Sequence, residues 1–202
     1  MRIAEQERKY YNKWKTYESD LECDGWQVPR LLIDNFKNFL KGGETILDIG
    51  CGTGFVGVEL KRIGWRGSLI GVDISELRMR EALEKDVYQA CFQMDAERLG
   101  FLDKTFDVVL SSAVVGLTGP KSVLEMHRVL KIGGLIGCAA VKFRNVRGGD
   151  KRFKSSVSCF GRLPSTIELD RIDIGTGYSG MRNDERYILY ILRLMSKKLK
   201  NT

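Results

Sequence analysis

With 202 residues and 43% hydrophobic content, the chain is long enough for one domain with a sizeable core and short extensions. No stretch is long and apolar enough to cross a bilayer, and the polar start Met1-Arg2-Ile3-Ala4-Glu5 is unlike a secretory signal, so a soluble intracellular protein is expected, cytoplasmic with a nuclear location left open. The five cysteines are odd in number and widely spaced, with one histidine, so reduced thiols are expected and no metal site or disulfide framework; the net charge of +7 is moderate but unevenly placed.

Residues 5–21 read as a polar helix carrying Tyr10, Tyr11, Trp14 and Tyr17. Pro29 opens a second helix with an apolar stripe of Leu32, Phe36 and Phe39/Leu40, which stops at Gly42-Gly43. The apolar run Ile46–Ile49 then reads as a buried strand, followed by alternate glycines and a helix marked by Val56, Leu60 and Ile63. Glycine suits that turn because it enters positive φ cheaply and lets a ligand approach the main chain. Two registers fit. Gly52, Gly54 and Gly57 satisfy G-x-G-x-x-G, which would cradle a pyrophosphate. Asp48, Gly50, Gly52 and Gly54 give D-x-G-x-G-x-G, and an acid at the mouth of the turn suits a cationic ligand group better.

Ser68–Val72 is the next strand and ends in Asp73-Ile74-Ser75. Asp73 lies 23 residues past Gly50, the separation expected when a carboxylate on a second parallel strand reaches a ribose diol. Its alternative role is an N-cap, which Ser75 fills equally well, and Ile74 would pack on an adenine face. Tyr88–Gln93 is a third strand, followed by Met94-Asp95-Ala96. Phe106–Ala113 is a fourth, with Asp107 at its start in a structural role and Ser111 and Ser112 at the ligand edge. Gly119-Pro120 opens a helix through His127 and Leu130, placing His127 away from that edge, and strand Leu135–Val141 follows. Lys142, Arg144, Arg147, Lys151, Arg152, Lys154 and Arg162 cluster after it, with a short helix over 150–161. Lys197, Lys198 and Lys200 form the tail. Such runs are usually solvated surface, and nucleic acid is kept as the lesser alternative partner. Ile167–Ile174 and Arg186–Leu194 read as two closing strands, with Gly175, Gly177 and Gly180 between them.

Four segments in order, D-x-G-x-G-x-G, G-V-D-I-S, M-D-A and F-D-x-V-x-S, resemble the class I S-adenosylmethionine-dependent methyltransferases. Trp14, Tyr17-Glu18 and Pro29-Arg30-Leu31 are similar to the methyltransferase-like proteins within that class. The resemblance implies an α/β, Rossmann-like fold with a seven-stranded, mostly parallel sheet in the order 3-2-1-4-5-7-6 and helices on both faces. It divides the chain into a helical cap over 1–43, a cofactor-binding domain over 44–194 and a basic tail over 195–202. Its cofactor is S-adenosyl-L-methionine, with S-adenosyl-L-homocysteine as product. The residues carried over as cofactor-binding are Asp48 near the methionine end, Gly50, Cys51, Gly52, Gly54, Asp73, Ile74, Met94, Asp95, Ala96 and Ser111. Tyr11, Tyr17, Arg30 and Ser112 are candidates on the substrate side, and no catalytic residue or metal is assigned. Arg128–Gly134 also resembles the family, except that Ile132 stands where proline is usual, so a looser turn is expected. The absence of an N-P-P-Y type sequence after the fourth strand counts against methylation of exocyclic base amines. The expected acceptor is a small molecule or a protein side chain. The alternatives are a non-catalytic S-adenosylmethionine-binding module, an RNA-directed enzyme and, remotely, a nicotinamide enzyme.

Overall fold

The computed structural model describes residues 3–142, 149–175, 177 and 186–196. Part of the basic cluster (143–148), Gly180 and the tail 197–202 lie outside the described residues. The elements in chain order are α1 (Ile3–Lys13), α2 (Tyr17–Cys23), α3 (Val28–Phe36), β1 (Thr45–Ile49), α4 (Phe55–Arg62), β2 (Ser68–Asp73), α5 (Glu76–Leu83) and β3 (Ala90–Gln93). They continue with β4 (Phe106–Ser112), α6 (Pro120–Val129), β5 (Leu130–Lys142), α7 (Gly149–Phe160), β6 (Thr166–Asp173) and β7 (Arg186–Leu194).

One seven-stranded sheet runs β3-β2-β1-β4-β5-β7-β6, the order implied by the resemblance. Strands β3 to β5 are parallel, and β7 pairs antiparallel with both β5 and β6. Successive side chains of a strand face opposite sides, and both sides are covered. Leu47, Ile49, Val109 and Ile136 pack in one apolar layer with Val123 and Met126 of α6 and Phe153 and Phe160 of α7. Ile46, Val108 and Leu110 pack in the other with Leu32 and Phe36 of α3, Val56 and Leu60 of α4 and Ala82 of α5. No helix among the described residues is long and apolar enough to cross a membrane.

The helix expected over 5–21 is two helices. A continuous helix would use the carbonyls of Tyr11 and Trp14 for its own amides four residues on; here the buried guanidinium of Arg78 on α5 takes both. Asp20 closes the corner by accepting from Trp14 Nε1 at 2.6 Å and Thr16 Oγ1 at 2.7 Å. Ser75 Oγ to Asn12 Oδ1 at 2.6 Å and a Lys85–Glu18 ion pair fasten the same helices to α5.

The turn expected to be loose at Ile132 is instead the start of β5, which begins five residues earlier than the sequence suggested, with an irregular register between Phe106 and Val108. Asp107 holds this amino edge together, accepting from Thr45 N at 3.0 Å and Lys131 Nζ at 2.9 Å.

Candidate functional site

The carboxyl ends of the parallel strands, roofed by α1 and α2, enclose a cavity of about 1240 Å³. Its floor is the turn after β1. Gly50, Gly52 and Gly54 have φ of +73°, +52° and +94°, whereas Gly57 lies inside α4. The three positive-φ glycines are those of D-x-G-x-G-x-G. Gly57 answers to packing instead, because a Cβ there would meet the Tyr88 ring at 2.6 Å. A Cβ on Gly50 would strike Val114 Cγ2 at 2.1 Å, while one on Gly52 would find only the Tyr17 ring, its hydroxyl at 3.7 Å. The bare side of the turn at Gly52 therefore faces the cavity.

Asp73, at the tip of β2, accepts from Gly52 N at 2.9 Å on one oxygen and Ser75 N at 2.8 Å on the other. Burial pushes its carboxyl above the ordinary value, against the pull of those amides and of Arg78. Each oxygen of an ionised carboxylate has about two acceptor positions, so roughly one on each remains for a pair of hydroxyl donors. Met94 N donates to Asp73 O at 2.9 Å, which sets the loop after β3 beside it. Ile74 and Met94 supply apolar surface there, and Asp95 is braced by Glu97 N at 2.9 Å. A bare glycine turn, a diol-ready carboxylate and an apolar slot with an acid at its end fit the adenosyl half of S-adenosylmethionine.

Gly50, Cys51, Gly52, Asp73, Ile74, Met94, Asp95, Ala96, Tyr11, Tyr17 and Ser112 all line this one cavity. Asp48, Gly54, Ser111 and Arg30 are not in its wall. Asp48 was placed at the mouth of the turn; its side chain is instead fully buried beneath it, accepting from Tyr88 Oη at 2.7 Å, and burial raises its carboxyl pKa to about 7. Ser111 Oγ turns inward to Ile49 O at 3.2 Å. Arg30 follows the cavity-lining Pro29 by one helical step, so it points outward and pairs with Asp34 at 3.7 Å.

Tyr11 is held well above the ordinary tyrosine range by burial and then by Tyr17, Glu7 and Asp73, so it stays a hydroxyl at neutral pH. Cys51, hydrogen-bonded to Cys91 and buried, is likewise raised and stays a thiol. His127, in the last turn of α6, meets Pro164 O at 3.0 Å. Among the described residues there is no group of three or more His, Cys, Asp or Glu that could hold a metal ion.

Several wall residues carry no local sequence signal. Trp26 and Phe55 meet edge to face with centroids 5.4 Å apart, and Tyr187 reaches the cavity from β7. Arg78 lies under a face of Tyr17 at 5.0 Å while it holds the roof carbonyls. Phe55, next to the turn, was the one of these within reach of a motif argument. On α7, Arg152 is drawn to Glu7 on α1 and Lys154 pairs with Asp150 at 2.7 Å, so the described part of the basic cluster is partly offset by acids.

Residues 47–138 match a family described as a methyltransferase domain. An uncharacterized methyltransferase of Schizosaccharomyces pombe is 33% identical over 130 residues, covering 58% of this chain and 47% of its own length. Human methyltransferase-like protein 27 is 32% identical over 139 residues, covering 65% and 56%. The chain thus spans about half the length of these curated relatives. Among solved structures, the [4+2]-cyclase SpnF aligns with a TM-score of 0.74 at 17% identity, over 95% of this chain and 97% of its own. A geranyl diphosphate C-methyltransferase from Streptomyces coelicolor A3(2), crystallised with S-adenosyl-L-homocysteine, gives 0.70 at 11% identity, over 96% and 99%. Identities this low show the fold alone, and that fold is the Rossmann-like one of class I methyltransferases.

Proposed function

We propose that the chain is an S-adenosylmethionine-dependent methyltransferase acting on a small molecule or a protein side chain. The finer likeness within that class is to the methyltransferase-like protein of the Williams–Beuren region. The methyltransferase-domain match and the relatives support the class, and a fold neighbour crystallised with S-adenosyl-L-homocysteine supports the donor. The observation that carries the reading is Asp73: two backbone amides fix its carboxylate beside the bare turn at Gly52, with acceptor capacity left on both oxygens.

Bound there, the cofactor supplies a sulfonium-activated methyl group. The chain's part is to align and to exclude water. Asp73 takes the ribose hydroxyls, Ile74 and Met94 flank the adenine, and Asp95 meets its amino group. The Gly50–Gly52 turn lets the sulfur-bearing end lie close to the main chain, and α1 and α2, fastened through Arg78, close the roof. Alignment of this kind contributes about 7–11 kcal/mol in favourable cases, and a hydroxyl that stays protonated at Tyr11 is a donor rather than a base. Titration calorimetry with S-adenosyl-L-homocysteine should give a dissociation constant in the micromolar range. No heat at millimolar ligand overturns the reading.

A module that keeps the cofactor site but transfers no methyl group is the second reading, favoured by one observation: the same fold carries a protein described as a [4+2]-cyclase, a reaction other than methyl transfer. Turnover of labelled methyl groups into any component of a cell extract removes it.

A further inference from the structure

Two thiols share one gap beneath the glycine turn. Strand β2 lies between β1 and β3, and its Gly71 pairs with Asp48 on one side and Cys91 on the other. Cys51 reaches the same place from the turn, its amide donating to Val72 O at 3.0 Å. A Cβ on Gly71 would stand 2.8 Å from Cys91 Sγ and 2.9 Å from Cys51 Sγ, nearer than real Cβ atoms come to their neighbours. The missing side chain at position 71 therefore lets the two sulfurs lie together, and they are hydrogen-bonded to each other. Both pack in the apolar layer of Ile46, Val56, Leu60 and Tyr88, where packing alone would be served by any small apolar side chain.

The two sulfurs are not equivalent. Cys51 is 4% exposed and lines the cavity, and its bond to Cys91, then burial, hold it up as a thiol. Cys91 is half-buried on β3, the edge strand of the sheet, where a small solute reaches it. The Cys51 S–H it accepts, and then the Gly71 amide, draw it below the ordinary thiol value against burial and the Asp48 charge. Burial instead raises Cys138 and Cys159. The nucleophile in cysteine chemistry is the thiolate, so Cys91 is the attacking sulfur and Cys51 the one that resolves.

We propose that Cys51 and Cys91 are a peroxide-sensitive thiol pair, which a hydroperoxide converts into a disulfide that weakens the cofactor site. The Cys91 thiolate attacks the peroxide, an S–O bond forms as the O–O bond breaks, and hydroxide leaves. The Cys51 sulfur then attacks the resulting sulfenic acid: the S–S bond forms, the S–O bond breaks, and water leaves with the Cys51 proton. In sum, two thiols and one hydrogen peroxide give one disulfide and two waters. An S–S bond of about 2.05 Å draws the sulfurs well inside hydrogen-bond distance and so pulls Cys51 towards β3. That pull acts on the turn between Gly50 and Gly52, against the bonds of Gly50 N and Cys51 N to Val72 O and of Gly52 N to Asp73. The predicted loss of binding rests on the S-adenosylmethionine reading, whereas the disulfide itself does not.

The test treats reduced protein with hydrogen peroxide, blocks the remaining thiols with iodoacetamide and maps linked peptides by mass spectrometry. Calorimetry with S-adenosyl-L-homocysteine is run before oxidation, after it, and after dithiothreitol. We expect a Cys51–Cys91 linked peptide, an affinity lower by about tenfold or more in the oxidised protein, and recovery with dithiothreitol. Cys91→Ala should bind as the reduced parent does and keep its affinity in peroxide. The proposal is overturned if no Cys51–Cys91 linkage forms, if the linked protein binds unchanged, or if Cys91→Ala loses affinity in peroxide as far as its parent. Should Cys91→Ala not fold, the mapping and the dithiothreitol reversal on the parent chain decide. Should S-adenosyl-L-homocysteine fail to bind the reduced protein, the cofactor reading falls, and the linked peptide decides the thiol pair by itself.

Discussion

The two sides of the cavity are built on opposite plans. On the β2–β3 side the polar groups are already committed: Asp73 to Gly52 N and Ser75 N, Asp95 to Glu97 N, and Met94 N to Asp73 O. Elsewhere the wall includes the rings of Trp26, Phe55 and Tyr187, brought together from three separated segments, with Thr118 and Lys121 of the stretch after β4 also lining it. Backbone amides fix a carboxylate without a loss of side-chain freedom, so the first side is preorganised for one constant ligand. Aromatic rings offer broad contact area with little directional demand, so that wall constrains what enters less sharply. The difference teaches that one cleft can hold a rigid half and a permissive half, joined at the glycine turn.

Breaking the joint should have the largest effect. Gly50→Ala puts a Cβ 2.1 Å from Val114 Cγ2 at a φ of +73°. Crowding and left-handed backbone together should cost about 2–4 kcal/mol in urea unfolding and reduce S-adenosyl-L-homocysteine binding on both sides of the turn. A variant with unchanged midpoint and affinity would show that the joint yields freely.

Beneath the joint, Asp48 is next. Its folded pKa of about 7 lies above the ordinary 3.8, so the folded chain holds a proton that the unfolded chain releases between those values. Stability from this group is therefore complete at acid pH and falls as pH rises towards 7, by roughly 2–3 kcal/mol between pH 5 and 7. Asp48→Asn should remove that fall, seen as a flatter dependence of melting temperature on pH between 5 and 8. The same slope in both proteins would refute the burial account.

Asp73→Ala sharpens the contrast by striking one side. Losing a charged acceptor worth about 1.5–3 kcal/mol should weaken S-adenosyl-L-homocysteine by about one to two decades in calorimetry. An unchanged affinity would mean that this side does not hold the ribose. In urea unfolding, the smallest effect on stability is expected at Gly52→Ala. There the nearest atom to a new Cβ is 3.7 Å away and only the left-handed φ of +52° costs anything, about 1–2 kcal/mol. A loss larger than that of Gly50→Ala would reverse the ranking of the two turn positions.

Much of the rigid half was legible in the sequence. Asp73 follows from its distance past Gly50, whereas Met94, Asp95 and Ala96 follow from the resemblance after the third strand; with Ile74 they line the same cavity. Asp48 and Ser111 lie outside the cavity wall, because side chains alternate between faces: Asp48 points into the layer of Ile46 and Leu110, and Ser111 into the opposite layer, of Ile49 and Val109. Arg30 was misplaced by one helical step from Pro29. Little of the permissive half was legible. Trp26, Phe55, Ser112 and Tyr187 come from four separated segments, and of these only Ser112 stood next to a recognisable strand end.

By itself, then, the sequence determined the strands, their order through the resemblance, and the turn. A period of two, a period of 3.6 and a need for positive φ are local properties written in consecutive residues. Only the tertiary structure decided that Arg78 would take carbonyls 64 and 67 positions away, that Tyr88 would cap Asp48 across 40, and that Trp26, Phe55 and Tyr187 would line one cavity. Those outcomes depend on how whole elements pack against one another, and no periodicity along a single chain carries that information.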